Sequence, residues 1–247
     1  MKISLWIVFI GIIIALIIFF RFYNAILSPS VSIEGDDDSK IIYIHTGASF
    51  NDVKNILFSD ELLSDSSGFN WLAKKKKYPS NIKPGRYRIS DNMSNNELIN
   101  LLRSGRQEPF MLTFNNVRTL TELAGIVSKS LEPDSNDFQT YFYHQDTPEK
   151  YGFTSESFPS MFIPNSYEFY WTTSPEEFTQ RMKREYVAFW SGNRDQKAKA
   201  IGFTKVQIST LASIVDQETL HDDENERIAG VFINRLKRGI PDRKSVV

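Results

Sequence analysis

Hydrophobic and polar positions divide the chain into an apolar start, a short polar stretch and a long amphipathic remainder. Residues 3–20, ISLWIVFIGIIIALIIFF, form an uncharged run of eighteen residues. As a helix this run would be about 27 Å long, close to the thickness of a hydrocarbon core. Because no convincing small-x-small cleavage motif follows it, the pattern favours an uncleaved transmembrane anchor over residues 1–23, with a cleaved signal peptide as the alternative.

The polar stretch follows the apolar run directly. Residues 28–40, SPSVSIEGDDDSK, combine proline, glycine and three successive aspartates, a composition typical of a linker. We therefore predict a tether over residues 24–39. No second apolar run of comparable length follows, so the remaining chain is expected to lie on one side of the membrane.

The amphipathic remainder begins with a small α+β pattern over residues 40–107. Its periodicity predicts a strand, two helices, a second strand and a third helix, at residues 41–45, 49–57, 68–77, 86–89 and 94–105. The order is that of a compact module.

The region from residue 108 to 247 begins with a strand candidate and then becomes mostly helical. The strand is expected at 110–114, and helices at 119–131, 174–189, 205–220 and 228–239. The aromatic segment 161–171 is interpreted mainly as core, with a saccharide groove as the alternative. The fold class predicted for the whole chain is α+β, with a mostly helical second domain.

Composition excludes several classes of protein. The 247 residues include no cysteine, which excludes disulfides, thiolate metal sites and a cysteine nucleophile. A formal net charge of −1 argues against a nucleic-acid-binding protein. The acidic string after His221 lacks the ligand spacing of a calcium or zinc site, and no cofactor motif is found, so we predict neither a metal nor a cofactor.

One carboxylate stands out in the helix predicted over residues 205–220. At 100° per residue, Glu218 falls on the same stripe as Leu211, Ile214 and Val215, whereas Asp216 points away from it. A carboxyl group on a buried face can become a general acid, because desolvation disfavours its charged form. The alternative is a glutamate at a helix end that reaches solvent or pairs with an arginine.

Three segments together resemble one family, the endolytic murein transglycosylases or YceG-like proteins. Residues 212–219 followed by 226–241 resemble its catalytic signature, a Glu-Thr pair and then a helix with an N-R-L sequence. Residues 162–171 resemble its F-P-D-T-Y segment, and residues 82–105 resemble the second half of its LysM-like module. The resemblance runs from about residue 40 to residue 241.

The resemblance implies a single-pass protein of the inner membrane with a periplasmic catalytic domain over residues 108–247 and a LysM-like module over residues 40–107. It implies an enzyme that cleaves peptidoglycan strands between N-acetylmuramic acid and N-acetylglucosamine and leaves 1,6-anhydro ends. Glu218 takes the position of the catalytic residue. The implied substrate-binding residues are Asn165, Ser166, Tyr167, Thr219 and Asn234.

The implied mechanism uses Glu218 as both acid and base, because the muramyl C6 hydroxyl can serve as an internal nucleophile. Two other interpretations stay open. One is a membrane-tethered protein that binds or scaffolds peptidoglycan with an inactive enzyme domain, and the other is a hydrolase that uses water. Peptidoglycan synthases are possible partners on the same resemblance.

The resemblance is weakest at the end of the chain. The family continues beyond the turn at Pro241, whereas this sequence ends with DRKSVV. We therefore expect the catalytic domain to be incomplete at its C-terminus, and its activity to be lower than that of a full-length relative.

Overall fold

The structure is a computed structural model that describes residues 2–33, 35, 38–59, 62–63, 66–115, 117–219 and 221–240. The chain forms two compact units. The first comprises Met1–Met111 and Glu168–Thr172, and the second comprises Leu112–Tyr167 and Thr173–Val247. The described residues form a mostly helical α+β fold with two small sheets, as the hydrophobic pattern predicts.

The elements of the first unit follow the predicted order. They are α1 (Lys2–Leu27), β1 (Ser39–Ile44), α2 (Phe50–Ser59), α3 (Ser66–Lys75), a 3-10 helix (Tyr78–Ser80), β2 (Gly85–Ser90) and α4 (Asn95–Ser104). β1 and β2 pair antiparallel, with Ser39 opposite Ser90 and Ile44 opposite Gly85.

Alternation along the two strands explains the core of this unit. Ile42, Ile44, Tyr87 and Ile89 are buried on one face of the sheet, because successive side chains of a strand point to opposite faces. The helices close over this face and contribute further buried side chains, among them Val53, Leu57, Phe69, Leu72, Leu98 and Leu102.

The residues at the two ends of helix α4 explain where this helix begins and ends. The Ser94 hydroxyl accepts from the backbone N–H of Glu97, and the Glu97 carboxylate accepts from that of Ser94, which is a capping box. The helix ends at Gly105, whose φ of 73° is accessible to glycine at little cost. Both limits agree with the predicted helix.

The N-terminal helix α1 has large apolar side chains in contact with solvent, such as Trp6 and Phe19, each 67% exposed. At its C-terminal end, Ile26 packs against the core of the first unit. Within the described residues, no helix has both the length and the apolar character needed to cross a membrane. The anchor over residues 1–23 therefore stays a prediction.

Part of the predicted tether is packed rather than solvated. Val31 is buried and forms a bridge with Leu63, and Pro29 forms one with Ser94. The backbone N–H groups of Ser30 and Val31 donate to the carbonyl of Met93. The described residues 29–33 thus lie against the first unit.

From residue 110 onward the elements are mainly helices. They are β3 (Phe110–Phe114), α5 (Leu120–Val127), α6 (Ser135–Phe142), α7 (Thr147–Lys150), a 3-10 helix (Phe158–Met161), β4 (Asn165–Phe169), α8 (Pro175–Trp190), α9 (Asn193–Ala200), α10 (Lys205–Glu218), a 3-10 helix (Asp222–Glu224) and α11 (Asn225–Lys237). β3 pairs with β4.

An aromatic cluster forms the centre of the second unit. The rings of Phe162 and Phe178 stack at 6.2 Å between centroids, and Phe142 and Phe158 lie 5.4 and 5.2 Å from Phe162. The segment 161–171 therefore contributes mainly to the core, as predicted, although Tyr170 is 52% exposed. Because Phe158 belongs to the 3-10 helix that contacts α10, this cluster also positions α10.

The end of the chain bears on the expected incompleteness of the catalytic domain. Helix α11 ends at Lys237, and the backbone is described as far as Ile240. Residues 241–247, on which that expectation rests, lie outside the described residues.

Candidate active site at the end of helix α10

Glu218 is the last residue of α10. The helix starts as predicted, because the Thr204 hydroxyl accepts from the N–H of Gln207 while the Gln207 amide oxygen accepts from that of Thr204. Leu211 and Val215 are buried, at 7% and 6% exposure, and define the side of the helix that faces the protein.

Of the two interpretations of Glu218, the described structure agrees with a helix-end glutamate that reaches solvent and not with a buried carboxyl group. The residue is exposed, and Ile214, one turn before it, is 40% exposed. The reason is that little covers this end of the helix: α10 packs against α11, but no described residue of α11 is buried. The apolar stripe therefore leaves the core before it reaches Glu218.

A hydrogen-bonded turn follows Glu218 and leads into α11. The Thr219 hydroxyl donates to the Glu224 carboxylate at 3.0 Å and accepts from the backbone N–H of His221 at 3.0 Å. Glu224 in turn accepts from the Arg227 guanidinium at 2.9 Å. The turn thus fixes the backbone next to Glu218 and connects the two helices.

The substrate-binding residues predicted on β4 are divided between surface and core. Asn165 and Ser166 are exposed, and the Ser166 hydroxyl lies 2.5 Å from the hydroxyl of Thr113 on β3. The Asn165 side-chain oxygen accepts from the backbone N–H of Ser166 at 2.8 Å. Both side chains present polar groups at the surface of the second unit.

Tyr167, by contrast, is a core residue at 5% exposure. Its ring lies 5.7 Å from that of Phe114, and its hydroxyl donates to the carbonyl of Ile163 at 2.6 Å. Burial raises the pKa of this phenol to about 12. In this conformation Tyr167 holds β4 in place, and its contact with a substrate stays a prediction.

Asn234, the last of the predicted substrate-binding residues, is exposed on α11, the helix that packs against α10. Its backbone carbonyl accepts from the N–H of Arg238 in the last turn of the helix. The structure therefore places Glu218, Thr219 and Asn234 on one helical hairpin, while their roles stay predictions.

Two residues of this region were not identified from the sequence. Glu224 lies in the acidic string after His221, for which we predict no metal site, and Thr113 lies in a strand predicted from its apolar residues. For Glu224, the available signal is an acid three residues before Arg227, a spacing that allows an ion pair on a helix. Among the described residues, no group of three or more His, Asp or Glu side chains could hold a metal ion.

Residues 42–242 match the YceG-like family. An endolytic murein transglycosylase of Streptococcus pneumoniae serotype 2 is 24% identical over 250 residues, covering 91% of this chain and 45% of that protein. One of Bacillus subtilis is 22% identical, covering 90% of this chain and 65% of that protein. The chain thus spans about half to two thirds of the length of these relatives.

A solved structure is also similar. The crystal structure of a yceG-like protein from Listeria monocytogenes superimposes with a TM-score of 0.44 at 21% identity, covering 81% of this chain and 71% of the other. Since the family match extends over most of the chain, the protein belongs to the YceG-like family.

Proposed function

We propose that this protein acts as an endolytic murein transglycosylase, cleaving the bond between N-acetylmuramic acid and N-acetylglucosamine in peptidoglycan strands. The observation that carries the proposal is the position of Glu218, an accessible carboxyl group at a helix end, next to a turn fixed by Thr219 and Glu224. Membership of the YceG-like family and the names of the two relatives support the same reaction.

Glu218 would act first as an acid and then as a base. It would give its proton to the leaving glycosidic oxygen while positive charge develops on the muramyl ring. The resulting carboxylate would then take the proton of the C6 hydroxyl of the same sugar, whose oxygen attacks C1. The C1–O bond to the leaving sugar breaks, a C1–O6 bond forms, and the 1,6-anhydro product leaves without consuming water.

Because Glu218 is exposed in the structure, the proposed mechanism requires the bound substrate to exclude water from its carboxyl group. A sugar bound over the end of α10 would exclude water from the carboxyl group and so disfavour its charged form. Asn165, Ser166 and Asn234 are proposed to hold the strand in this position through their exposed amide and hydroxyl groups.

The membrane location belongs to the same proposal. We propose that the apolar residues 3–20 anchor the chain in the inner membrane, with the two units on the periplasmic side. This location would place Glu218 near newly made strands and near the synthases that make them.

The same exposure of Glu218 also favours a second candidate, a membrane-tethered protein that binds peptidoglycan without cleaving it. Purified strands incubated with the full chain in ¹⁸O-labelled water, followed by mass spectrometry, distinguish the possibilities. The proposal predicts fragments that end in anhydromuramic acid and contain no ¹⁸O. Reducing ends that contain ¹⁸O would indicate hydrolysis. Intact strands that sediment with the protein would indicate binding alone. Either result would contradict the proposal.

A further inference from the structure

A cleft separate from the α10–α11 turn lies in the second unit between α8, α9 and the start of α10. It has a volume of about 700 Å³. Three lysines line it, Lys183 from α8, Lys199 from α9 and Lys205 from α10, and we call it the lysine cleft. The proposed cleavage at Glu218 does not use any of them.

The charged residues that line this cleft are mostly basic. Asp195 is the single acidic residue among its described lining residues, so three ammonium groups and one carboxylate give it a net charge of +2. The whole chain, by comparison, has a formal net charge of −1. Positive charge is thus concentrated in one concave place, where it attracts anions.

Asp195 holds two of the ammonium groups at the cleft. Its carboxylate accepts from Lys199 at 2.7 Å and lies 3.6 Å from the ammonium of Lys205. The Lys199 side chain is nevertheless 73% exposed and that of Lys205 38% exposed. Both are therefore accessible to a ligand that enters from solvent.

Lys183 is held in the cleft wall by contacts with a carbonyl and two aromatic rings. Its ammonium donates to the carbonyl of Tyr151 at 2.6 Å and lies 4.8 Å from the ring centroid of Phe153 and 5.7 Å from that of Tyr186. Burial and the nearby ammonium of Lys205 lower the pKa of Lys183. A bound anion would relieve this repulsion and could accept from the donors that an ammonium group retains after one hydrogen bond.

The remaining walls suit a ligand that is not simply an ion. Phe153, Tyr186 and Phe203 provide aromatic surface, and Thr154 and Ser157 provide hydroxyl groups. Aromatic rings pack against the apolar faces of sugars and peptides, while hydroxyl groups bond to their polar atoms. The combination fits a carboxylate carried on a larger glycan or peptide.

We propose that the lysine cleft binds the carboxylate of a peptide branch on the glycan substrate and so positions the strand relative to Glu218. This inference rests on the proposed function. Lys205 and Glu218 are the first and last residues of α10, so at 1.5 Å per residue they are about 20 Å apart along the helix. A strand that reaches both ends of α10 would be held at one end and cut at the other.

The three lysine side chains provide the positive charge of the lysine cleft. A helix N-terminus also attracts anions through its free N–H groups. In α10, however, the N–H groups of Thr204 and Gln207 already donate within the capping box. Removing the lysine charges should therefore remove most of the affinity.

The test measures binding of fluorescently labelled glycan fragments to the full chain in detergent, by anisotropy. All proteins carry Glu218→Gln so that the strand is not cut during the measurement. The cleft variant is the pair Lys199→Gln and Lys205→Gln, and its matched control is Lys197→Gln, an exposed lysine on α9 that does not line the cleft. Circular dichroism checks that each variant folds.

We expect the cleft variant to bind fragments with peptide branches about tenfold more weakly, and Lys197→Gln to bind them as the parent does. Replacing the same two lysines with arginine should retain the affinity. A neutral N-acetylglucosamine oligomer should bind the parent and the cleft variant equally. Added salt should weaken the binding of branched fragments, because the cleft is accessible to solvent.

Three results would overturn the proposal. The parent and the cleft variant could bind branched fragments equally, or the cleft variant could lose as much affinity for the neutral oligomer as for the branched fragments. The third result is lysine-dependent binding of polyphosphate that is tighter than the binding of branched fragments. These results are distinct from a failure of the proposed function. If the wild-type protein produces no anhydro ends, the transglycosylase assignment fails, and the affinities still decide whether the cleft recognises carboxylates.

Discussion

The hydroxyl of Thr219 donates a 3.0 Å hydrogen bond to the carboxylate of Glu224, which joins the end of α10 to the start of α11. The same hydroxyl accepts from the N–H of His221, so one side chain bonds to two residues between α10 and α11. Glu218 directly precedes this turn. Its position therefore depends on a local network and not on burial.

Replacing Thr219 by valine should lower the rate of strand cleavage about tenfold, because the turn loses a hydrogen bond to a charged group and Glu218 loses its fixed backbone. Stability should change by less than about 1 kcal/mol, since the site is near the surface. The matched control is Thr210→Val, which removes an exposed hydroxyl of the same helix that bonds to the carbonyl of Val206. Equal rates for the two variants, measured from initial fragment release, would contradict the proposed role of the turn.

Removing residues 2–23 should release the protein from membranes. This segment contains the apolar run, while Ile26, which packs against the first unit, is retained. We expect the full chain to stay in the membrane pellet after an alkaline carbonate wash and the shortened chain to stay in the supernatant. A full chain that washes out with carbonate would show that the apolar run does not anchor it.

Much of the fold is predictable from the sequence because it is encoded locally. The alternation in β2 places Tyr87 and Ile89 in the core, and the capping boxes at Ser94, Ser174 and Thr204 mark the starts of three helices. Each of these signals depends on residues within one turn or one strand. They agree with the structure because each depends only on residues that are close in the sequence.

Burial at the site could not be predicted in the same way. Periodicity places Glu218 on the stripe of Leu211 and Val215, but whether a stripe is covered depends on other elements. Likewise, Lys183 and Lys199 are not near each other in the sequence and share a cleft only because α8 and α9 pack together. The sequence pattern does not predict helices α6, α7 and α9; the described side chains of α9 are largely exposed and lack an apolar stripe.

The buried face of α8 should contribute strongly to the stability of the second unit. Met182 is fully buried on α8, so Met182→Ala should cost about 2–5 kcal/mol through lost burial and the resulting cavity. Val187, on the same helix, is 56% exposed, and Val187→Ala should change stability by no more than about 0.5 kcal/mol. Urea unfolding followed by aromatic circular dichroism provides the comparison. Similar midpoints for the two variants would show that α8 is not packed as described.

The ion pair between Arg88 and Glu108 should make stability depend on pH in the acid range. The Arg88 guanidinium Nε lies 2.7 Å from both carboxylate oxygens, and this hydrogen bonding lowers the pKa of Glu108. The ion pair therefore stabilises the folded state fully above the unfolded pKa of Glu108, about 4.3. This stabilisation is lost as pH falls through the lower pKa of Glu108 in the folded state. Stability is thus expected to decrease on acidification.

Glu108→Gln should accordingly lower the urea midpoint at pH 7 and have little effect at pH 2. Glu149→Gln, at an exposed position on α7, is the control and should leave the midpoint unchanged at pH 7. If Glu108→Gln lowers the urea midpoint as much at pH 2 as at pH 7, the pair does not stabilise the fold through its charge. The shift should be small because the Arg88 side chain is 47% exposed.

The most direct test of the central claim compares Glu218→Gln with Asp216→Asn, a neighbouring exposed acid of the same helix. Both variants remove one carboxylate from α10, so an effect of charge alone would be shared. The measurement is the release of fragments with anhydromuramic ends from purified strands, determined by mass spectrometry. If Glu218 is the single acid and base, Glu218→Gln loses at least about a hundredfold in rate and Asp216→Asn retains the wild-type rate. Full activity of Glu218→Gln, or equal loss in both variants, would contradict the assignment.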